Sequence, residues 1–347
     1  MAAVIQVGLV GFGLSGRYFH APFLSVNPRF RIKKIASSRP DAVRAFDTSI
    51  EWVATADELF ADPAIDLVFI CSPNETHADY ARQALRQGKN VVVEKPFALT
   101  EADAVALLAL ADAQKCLITA YQNRRWDSDF LTIKRLLATG ELGDLIEYEG
   151  YYDRYSPADM PGRGWKEEPG PGRGNLYNLG PHLIDQALQL FGAPDTVQAS
   201  VRMIRPGSRI VDYFDIRLGY AGKAVRIKSS LLAHYHQLRY CLHGTKGTFL
   251  KTGLDVQEER LRLNQLPDRP DWGTEPADRW GTVYRDGGAE TIESAPGNYH
   301  PFYDNLYEAL VNGAEPAVTP VHIQQLARVI DLAQASSQSQ RAMPFGR

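Results

Sequence analysis

Cysteine, methionine and long apolar runs are scarce in this chain, and charge of either sign is never in excess. Three cysteines, Cys71, Cys116 and Cys241, are spread over 347 residues. That number and spacing build neither a disulfide framework nor a zinc site, and they fit a reducing compartment with no structural metal. The longest apolar run, Ala104 to Ala111, has eight residues. This is far short of the roughly 18 needed to cross a bilayer, so no membrane span is expected. Lys and Arg total 38 against 41 Asp and Glu, a net charge of −3, and no block of five like charges occurs. A nucleic-acid surface is therefore not expected. The opening MAAVIQVGLVGFG lacks a basic n-region and runs straight into a motif, which argues against a signal peptide and for a soluble, cytoplasmic protein.

At about 100 to 200 residues per domain, the length suggests two domains. Up to about Tyr121, short apolar runs (Val4 to Val10, Arg31 to Ala36, Leu67 to Cys71, Val91 to Val93 and Leu117 to Tyr121) alternate with helical patterns. The runs are rich in Val and Ile without strict alternation, as in strands covered on both faces. One helical pattern, from Thr100, opens with a capping-box sequence. The order predicts an α/β fold with a doubly wound parallel sheet over residues 1–122. From about Gly143, alternating segments such as Leu145 to Tyr152, Val211 to Tyr220 and Arg239 to His243 predict a mostly antiparallel sheet. Two closing helices, near Phe302 to Asn312 and Val321 to Ala335, complete an α+β domain over 123–347. Those helices are candidates to pack back on the first domain. Five Gly and three Pro between Pro161 and Gly174 forbid regular structure and predict a loop.

Chemistry is expected first at Gly11-Phe12-Gly13-Leu14-Ser15-Gly16, which follows a strand and opens a helical stretch. Gly11 permits the tight turn, Gly13 lets backbone amides approach a pyrophosphate, and Gly16 lets helix and strand pack closely. The bland alternative is a tight strand-to-helix turn. The acid that binds the 2′-hydroxyl of NAD is missing after the second strand, where Ser37, Ser38 and Arg39 offer hydroxyls and a guanidinium to a 2′-phosphate. This points to NADP before NAD, unless the segment is simply a polar strand end.

Glu94-Lys95-Pro96 follows the strand Val91 to Val93. Lys95 therefore stands at a carboxyl end, where it could exchange a proton with a substrate hydroxyl or be only a surface lysine. Pro96 is a candidate cis-proline. Pro181 suits the first turn of a helix, which would set His182 at a helix N-terminus as neutral imidazole, unless it is only a polar histidine on a solvated face. Asp185, three residues on, could orient that ring or be only a first-turn acid favoured by the helix dipole. Tyr148, Tyr151, Tyr152 and Tyr155, with Trp165 and Lys166, supply flat rings and polar tips suited to a polyol, or only strand and loop aromatics. Arg124 and Arg125 are more often solvated than ligand-binding.

Taken together, the glycine loop, Ser72-Pro73-Asn74-x-x-His77, Glu94-Lys95-Pro96 and Gly180-x-His182 resemble the Gfo/Idh/MocA oxidoreductases over essentially the whole chain. Segments such as Tyr177 to His182, His243 to Phe249 and Tyr303 to Tyr307 look most like the branch containing NADP-dependent scyllo-inositol dehydrogenases. The resemblance implies a Rossmann domain, a second domain whose open sheet often forms a dimer interface, and sugar or inositol substrates. Hydride transfer with NADP or NAD and a homodimer or homotetramer follow from it. It also implies that Ser72, Pro73, Asn74, His77 and Glu94 line the cofactor, and that Lys95 and His182 are catalytic. The family motif Asp-x-Gly-x-His departs here, since Asn178 stands in place of the acid. An amide orients but accepts no proton, so base duty falls to His182 or Lys95. A cofactor-binding sensor without turnover, or a glycosidase using tightly held NAD, remain alternatives.

Overall fold

The computed structural model describes residues 3–157 and 167–346. It divides into two compact units. One comprises Met1–Asn123, Gln257–Trp272 and Tyr299–Gln324, and the other Arg124–Val256, Gly273–Asn298 and Gln325–Arg347.

The first unit carries six parallel strands, β1 (Ile5–Val10), β2 (Phe30–Ala36), β3 (Glu51–Val53), β4 (Leu67–Ile70), β5 (Asn90–Val93) and β6 (Ile118–Ala120). Their order is β3-β2-β1-β4-β5-β6. The chain winds outward from β1 in one direction and from β4 in the other, so the gap between those two strands is the switch point where such sheets bind ligands. The unbroken apolar pattern of a strand covered on both faces is clearest in β4, where all four residues, Leu67, Val68, Phe69 and Ile70, are fully buried. Thr100 caps the helix Glu101–Gln114, accepting the Asp103 amide at 3.1 Å as its sequence anticipates. The short strand β3 escapes the pattern because Glu51 and Trp52 are exposed and only Val53 is buried.

The second unit carries nine strands: β7 (Leu145–Tyr151), β8 (Thr196–Arg202), β9 (Tyr213–Tyr220), β10 (Lys223–Ser230), β11 (Leu238–Gly244), β12 (Gly247–Thr252), β13 (Gly281–Arg285), β14 (Gly288–Ile292) and β15 (Met343–Pro344). The order is β14-β13-β12-β11-β7-β10-β9-β8-β15, and among the described residues only the β7–β10 pair is parallel. One face of this sheet packs Tyr148, Phe214, Ile216, Ile227, Tyr240 and Leu242 against Leu183, Ile184 and Ala187 of the helix Asn175–Phe191.

Within that core a charge is buried. Arg239, 1% exposed, donates to Asp129 Oδ2 at 3.0 Å, to the Tyr151 carbonyl at 2.8 Å and to Gln186 Oε1 at 3.2 Å. Removing one partner of a buried pair strands the other charge, at about 3–5 kcal/mol. Arg239→Leu is accordingly expected to lower the unfolding free energy by about that amount in chemical denaturation, and a loss below about 1 kcal/mol would show that the pair is not a structural anchor.

Candidate active site

In the first unit the strand ends bring the sequence motifs to one edge of the sheet. Gly11, after β1, has φ +95°, and a Cβ there would lie 2.7 Å from the Cys71 carbonyl oxygen at the end of β4. A Cβ on Gly16 would collide with the Gly11 carbonyl oxygen and stand 3.5 Å from Cys71 Cβ. At Gly13, by contrast, an added Cβ meets nothing within 4 Å. Two of the three glycines are thus required by the protein's own packing, and the third leaves open space beside exposed backbone. That is the cradle a pyrophosphate needs, so these residues fit a dinucleotide. Phe12 is buried against Phe46, Leu14 is exposed, and Ser15 hydrogen-bonds the Cys71 thiol, whose pKa burial pushes up.

At the end of β2, Ser37 is buried and its Oγ accepts the Arg39 amide at 3.0 Å, while its carbonyl accepts Trp52 Nε1 at 2.8 Å. Ser38 and Arg39 are exposed. After β4, Ser72 Oγ accepts the Thr76 hydroxyl at 2.7 Å, Pro73 is exposed and Asn74 opens a short 3₁₀ turn. His77, 1% exposed, sets Nδ1 2.8 Å from the Pro96 carbonyl and Nε2 2.9 Å from the Ser72 carbonyl. His77 thereby ties the β4 end to the β5 end. Burial pushes its pKa down, against the two carbonyls.

After β5 the Lys95–Pro96 peptide is cis and Lys95 is half-buried. Glu94 is buried. Its Oε2 accepts the Lys95 amide at 3.0 Å and its Oε1 lies 2.9 Å from His20 Nε2. Burial would raise the Glu94 acid, but the His20 hydrogen bond and charge, then Lys95 and His77, outweigh it and hold the carboxyl below its usual range. The sequence does not reveal that His20 and Tyr303 join Glu94 in this buried cluster. A histidine one turn past the glycine loop carries no local signal of burial.

In the second unit, the helix bearing Asn178 and His182 starts at Asn175, so Pro181 is internal and His182 lies beyond the first helical turn. The structure thus corrects the expected helix N-terminus at His182 and the dipole effect drawn from it. Gly174, with φ +87°, turns the chain in early, and Asn175 is anchored by its amide on the Val211 carbonyl at 2.6 Å and by Nδ2 on Ser229 Oγ at 2.7 Å. Asn178 is exposed and His182 is 5% exposed. The helix's polar stripe is buried as well. Asp185 accepts Arg125 Nε at 2.8 Å and Nη2 at 2.7 Å, a bidentate pair, and Gln186 donates to the Arg124 carbonyl. Arg124 and Arg125 are therefore buried ion-pair residues, the former with Asp127, and not solvated ones. The buried Tyr152 ring lies 6.4 Å from the His182 ring, with the guanidiniums of Arg124, Arg154 and Arg239 at 4.9 to 5.3 Å. Its hydroxyl has no hydrogen-bond partner among the described residues. Trp165 and Lys166 lie outside the described residues. No group of three or more His, Cys, Asp or Glu among the described residues could hold a metal ion.

Residues 5–122 match a model described as an oxidoreductase family with an NAD-binding Rossmann fold, and residues 130–250 match the GFO/IDH/MocA C-terminal domain. The oxidoreductase YdgJ of Escherichia coli K12, itself uncharacterized, is 39% identical over 343 residues, covering 98% of this chain and 97% of that protein. The scyllo-inositol 2-dehydrogenase (NADP(+)) IolW of Bacillus subtilis 168 is 37% identical over 343 residues, covering 98% and 95%. The solved structure of YvaA from Bacillus subtilis superposes with a TM-score of 0.94 at 36% identity, over 99% of each chain.

The glycine geometry separates folding from binding. Gly13→Ala is expected to keep the parent's melting temperature and weaken dinucleotide binding at least about tenfold, because its methyl enters only the space the ligand would use. Gly16→Ala is expected to lower stability. Thermal melts with calorimetric titration check both, and a Gly13→Ala protein that binds as tightly as the parent contradicts the cradle.

Proposed function

The chain belongs to the GFO/IDH/MocA oxidoreductases, an NAD(P)-binding family, and on that premise we propose that it prefers NADP and oxidises or reduces one carbon of an inositol or related polyol. The observation that carries the NADP preference is the β2 end, where no acid occupies 36–38 and Ser38 and Arg39 are exposed beside the buried Ser37. A carboxylate there would hydrogen-bond a free 2′-hydroxyl and repel a 2′-phosphate, whereas a guanidinium recognises the phosphate. The polyol class is supported by the named activity of the Bacillus relative and by the polar, arginine-framed surroundings of Tyr152 and His182.

In this reading the Gly11–Gly16 backbone holds the pyrophosphate, Ser37 to Arg39 hold the adenosine ribose and its phosphate, and Ser72, Pro73, Asn74 and His77 shape the neighbouring edge. When bound, the nicotinamide supplies a hydride acceptor or donor at C4. Lys95 takes the proton of the reacting hydroxyl, or returns it in reduction. The positive charge of an oxidised nicotinamide nearby would make an amine easier to deprotonate, which suits that task. His182 shares the proton transfer, and Asn178 orients the hydroxyl without accepting its proton. Asp185 holds Arg125 and through it the buried floor of the helix, and Tyr152, Trp165 and Lys166 offer rings and polar tips to the polyol. A cytoplasmic location and a homo-oligomer built on the nine-stranded sheet belong to the same reading. Among the described residues no helix is long and apolar enough to cross a membrane.

Arg39→Ala is expected to weaken NADP far more than NAD, by about 1.5–3 kcal/mol, the worth of a charge-assisted bond to phosphate. Equal affinities of the parent for the two cofactors in calorimetry contradict the preference. Lys95→Ala is expected to abolish turnover of inositols while cofactor binding survives. A rate within about tenfold of the parent, about 1.4 kcal/mol in barrier, removes Lys95 from the chemistry. Asn178→Asp is expected to stay folded and to retain or gain activity, since a carboxylate both orients and accepts a proton; an inactive, folded Asn178→Asp protein contradicts the orienting role.

A further inference from the structure

His20 is fully buried in the first unit, between the rings of Phe69 at 4.7 Å and Tyr121 at 4.3 Å. An apolar wedge would fill that space at least as well, because a buried ion pair adds little stability over a hydrophobic isostere. Yet the imidazole is polar on both sides. Nε2 meets Glu94 Oε1 at 2.9 Å, and Nδ1 meets the Tyr303 hydroxyl at 3.1 Å. Tyr303 donates its own proton to the Phe19 carbonyl at 2.8 Å, so toward His20 its oxygen accepts. Nδ1 thus faces an oxygen that can take its hydrogen. With the Glu94 carboxyl held below its usual range, its Oε1 is an acceptor facing Nε2, so both ring nitrogens meet oxygens that can take a hydrogen. The second carboxylate oxygen accepts the amide of Lys95 at 3.0 Å. A continuous buried chain thus runs from Phe19 and Tyr303 through His20 and Glu94 to the backbone of Lys95.

We propose that His20 carries a hydrogen on both ring nitrogens and is a positioning residue for Lys95, acting through Glu94: it fixes the carboxylate that holds the Lys95 amide, and it offsets the negative charge that would otherwise keep the lysine protonated. The inference rests on Lys95 being the group that exchanges the substrate proton. An uncompensated carboxylate one residue away favours the ammonium form, and a compensated one releases it. The other titratable or charged groups around Glu94 and His20 are His77 and Lys95 itself, Cys71 at the β4 end, Tyr121 after β6, and Tyr303 from the helix His300–Asn312. Of these, His20 meets the Glu94 carboxylate side chain to side chain at 2.9 Å, with both groups buried.

The test compares His20→Gln, Tyr303→Phe and Glu94→Gln in the full chain. One readout is the acidic limb of the pH profile of kcat/KM. The other, taken without cofactor, is the pH dependence of acylation of the Lys95 amine, followed by peptide mass spectrometry. His20→Gln removes the offsetting charge, and Tyr303→Phe removes the acceptor that keeps Nδ1 protonated. Both are expected to move the limb and the labelling midpoint up by about one pH unit. Glu94→Gln is expected to move them down by a similar amount, while the circular-dichroism spectra of all three match the parent's, showing an intact fold. Labelling midpoints unchanged in His20→Gln and Tyr303→Phe, or raised in Glu94→Gln, overturn the proposal. Should His20→Gln fail to fold, Tyr303→Phe, which keeps the ring, decides the matter. If Lys95→Met retains turnover, the assignment of Lys95 to the chemistry fails, and the labelling curves still report separately whether His20 sets the lysine's proton affinity.

Discussion

A carboxylate buried at the end of β5, shared between an imidazole and a backbone amide, is the constraint around which the first unit is arranged. Glu94 reaches His20 on the helical segment that follows the glycine loop, and its other oxygen reaches Lys95. Because Gly11 and Gly16 can approach Cys71 and each other only without side chains, that helical segment is already pressed close to β1 and β4. The ion pair then locks it to β5 as well. His77 adds a second tie, from the β4 end to Pro96. Three strand ends at the switch point are therefore fixed by contacts that are buried and directional. The backbone of Lys95 is held at this edge of the sheet by the same carboxylate.

The second unit solves a different problem with similar means. A helix with a wide apolar face covers the large sheet, and its polar stripe is also buried, where water cannot satisfy it. Arg125 saturates Asp185, and Gln186 is shared by Arg239, Tyr240 and the Arg124 carbonyl. A buried polar network is stabilising only when every member is satisfied, which makes this layer intolerant of single substitutions. It also stiffens the helix that carries His182 and Asn178, and it surrounds the Tyr152 ring with three guanidiniums.

Much of this is legible in the residues. Val- and Ile-rich runs locate five of the six parallel strands, since burial on both faces leaves a continuous apolar stretch, and β3 escapes because only Val53 of its three residues is buried. The glycine loop, the Lys95–Pro96 turn and the missing acid after β2 can be placed because each depends on neighbours in sequence. Long-range pairing cannot be read this way. His20 and Glu94 are 74 residues apart, Arg239 and Asp129 110, and nothing local marks either the arginine or the histidine as buried. The start of the His182 helix is obscured for a related reason: Pro181 looks like a first-turn residue, but the true start is set by Asn175 reaching Ser229 and Val211, contacts made across the sheet.

Hydride transfer between a polyol carbon and nicotinamide, with Lys95 handling the proton, is the central claim. The most direct measurement is isotope transfer: a cyclitol deuterated at its carbinol carbons is incubated with the protein and NADP, and the reduced cofactor is analysed by mass spectrometry. The expected result is one deuterium per reduced nicotinamide in the parent and no labelled product with Lys95→Ala. Reduced cofactor lacking deuterium, or undiminished label from Lys95→Ala, would contradict it.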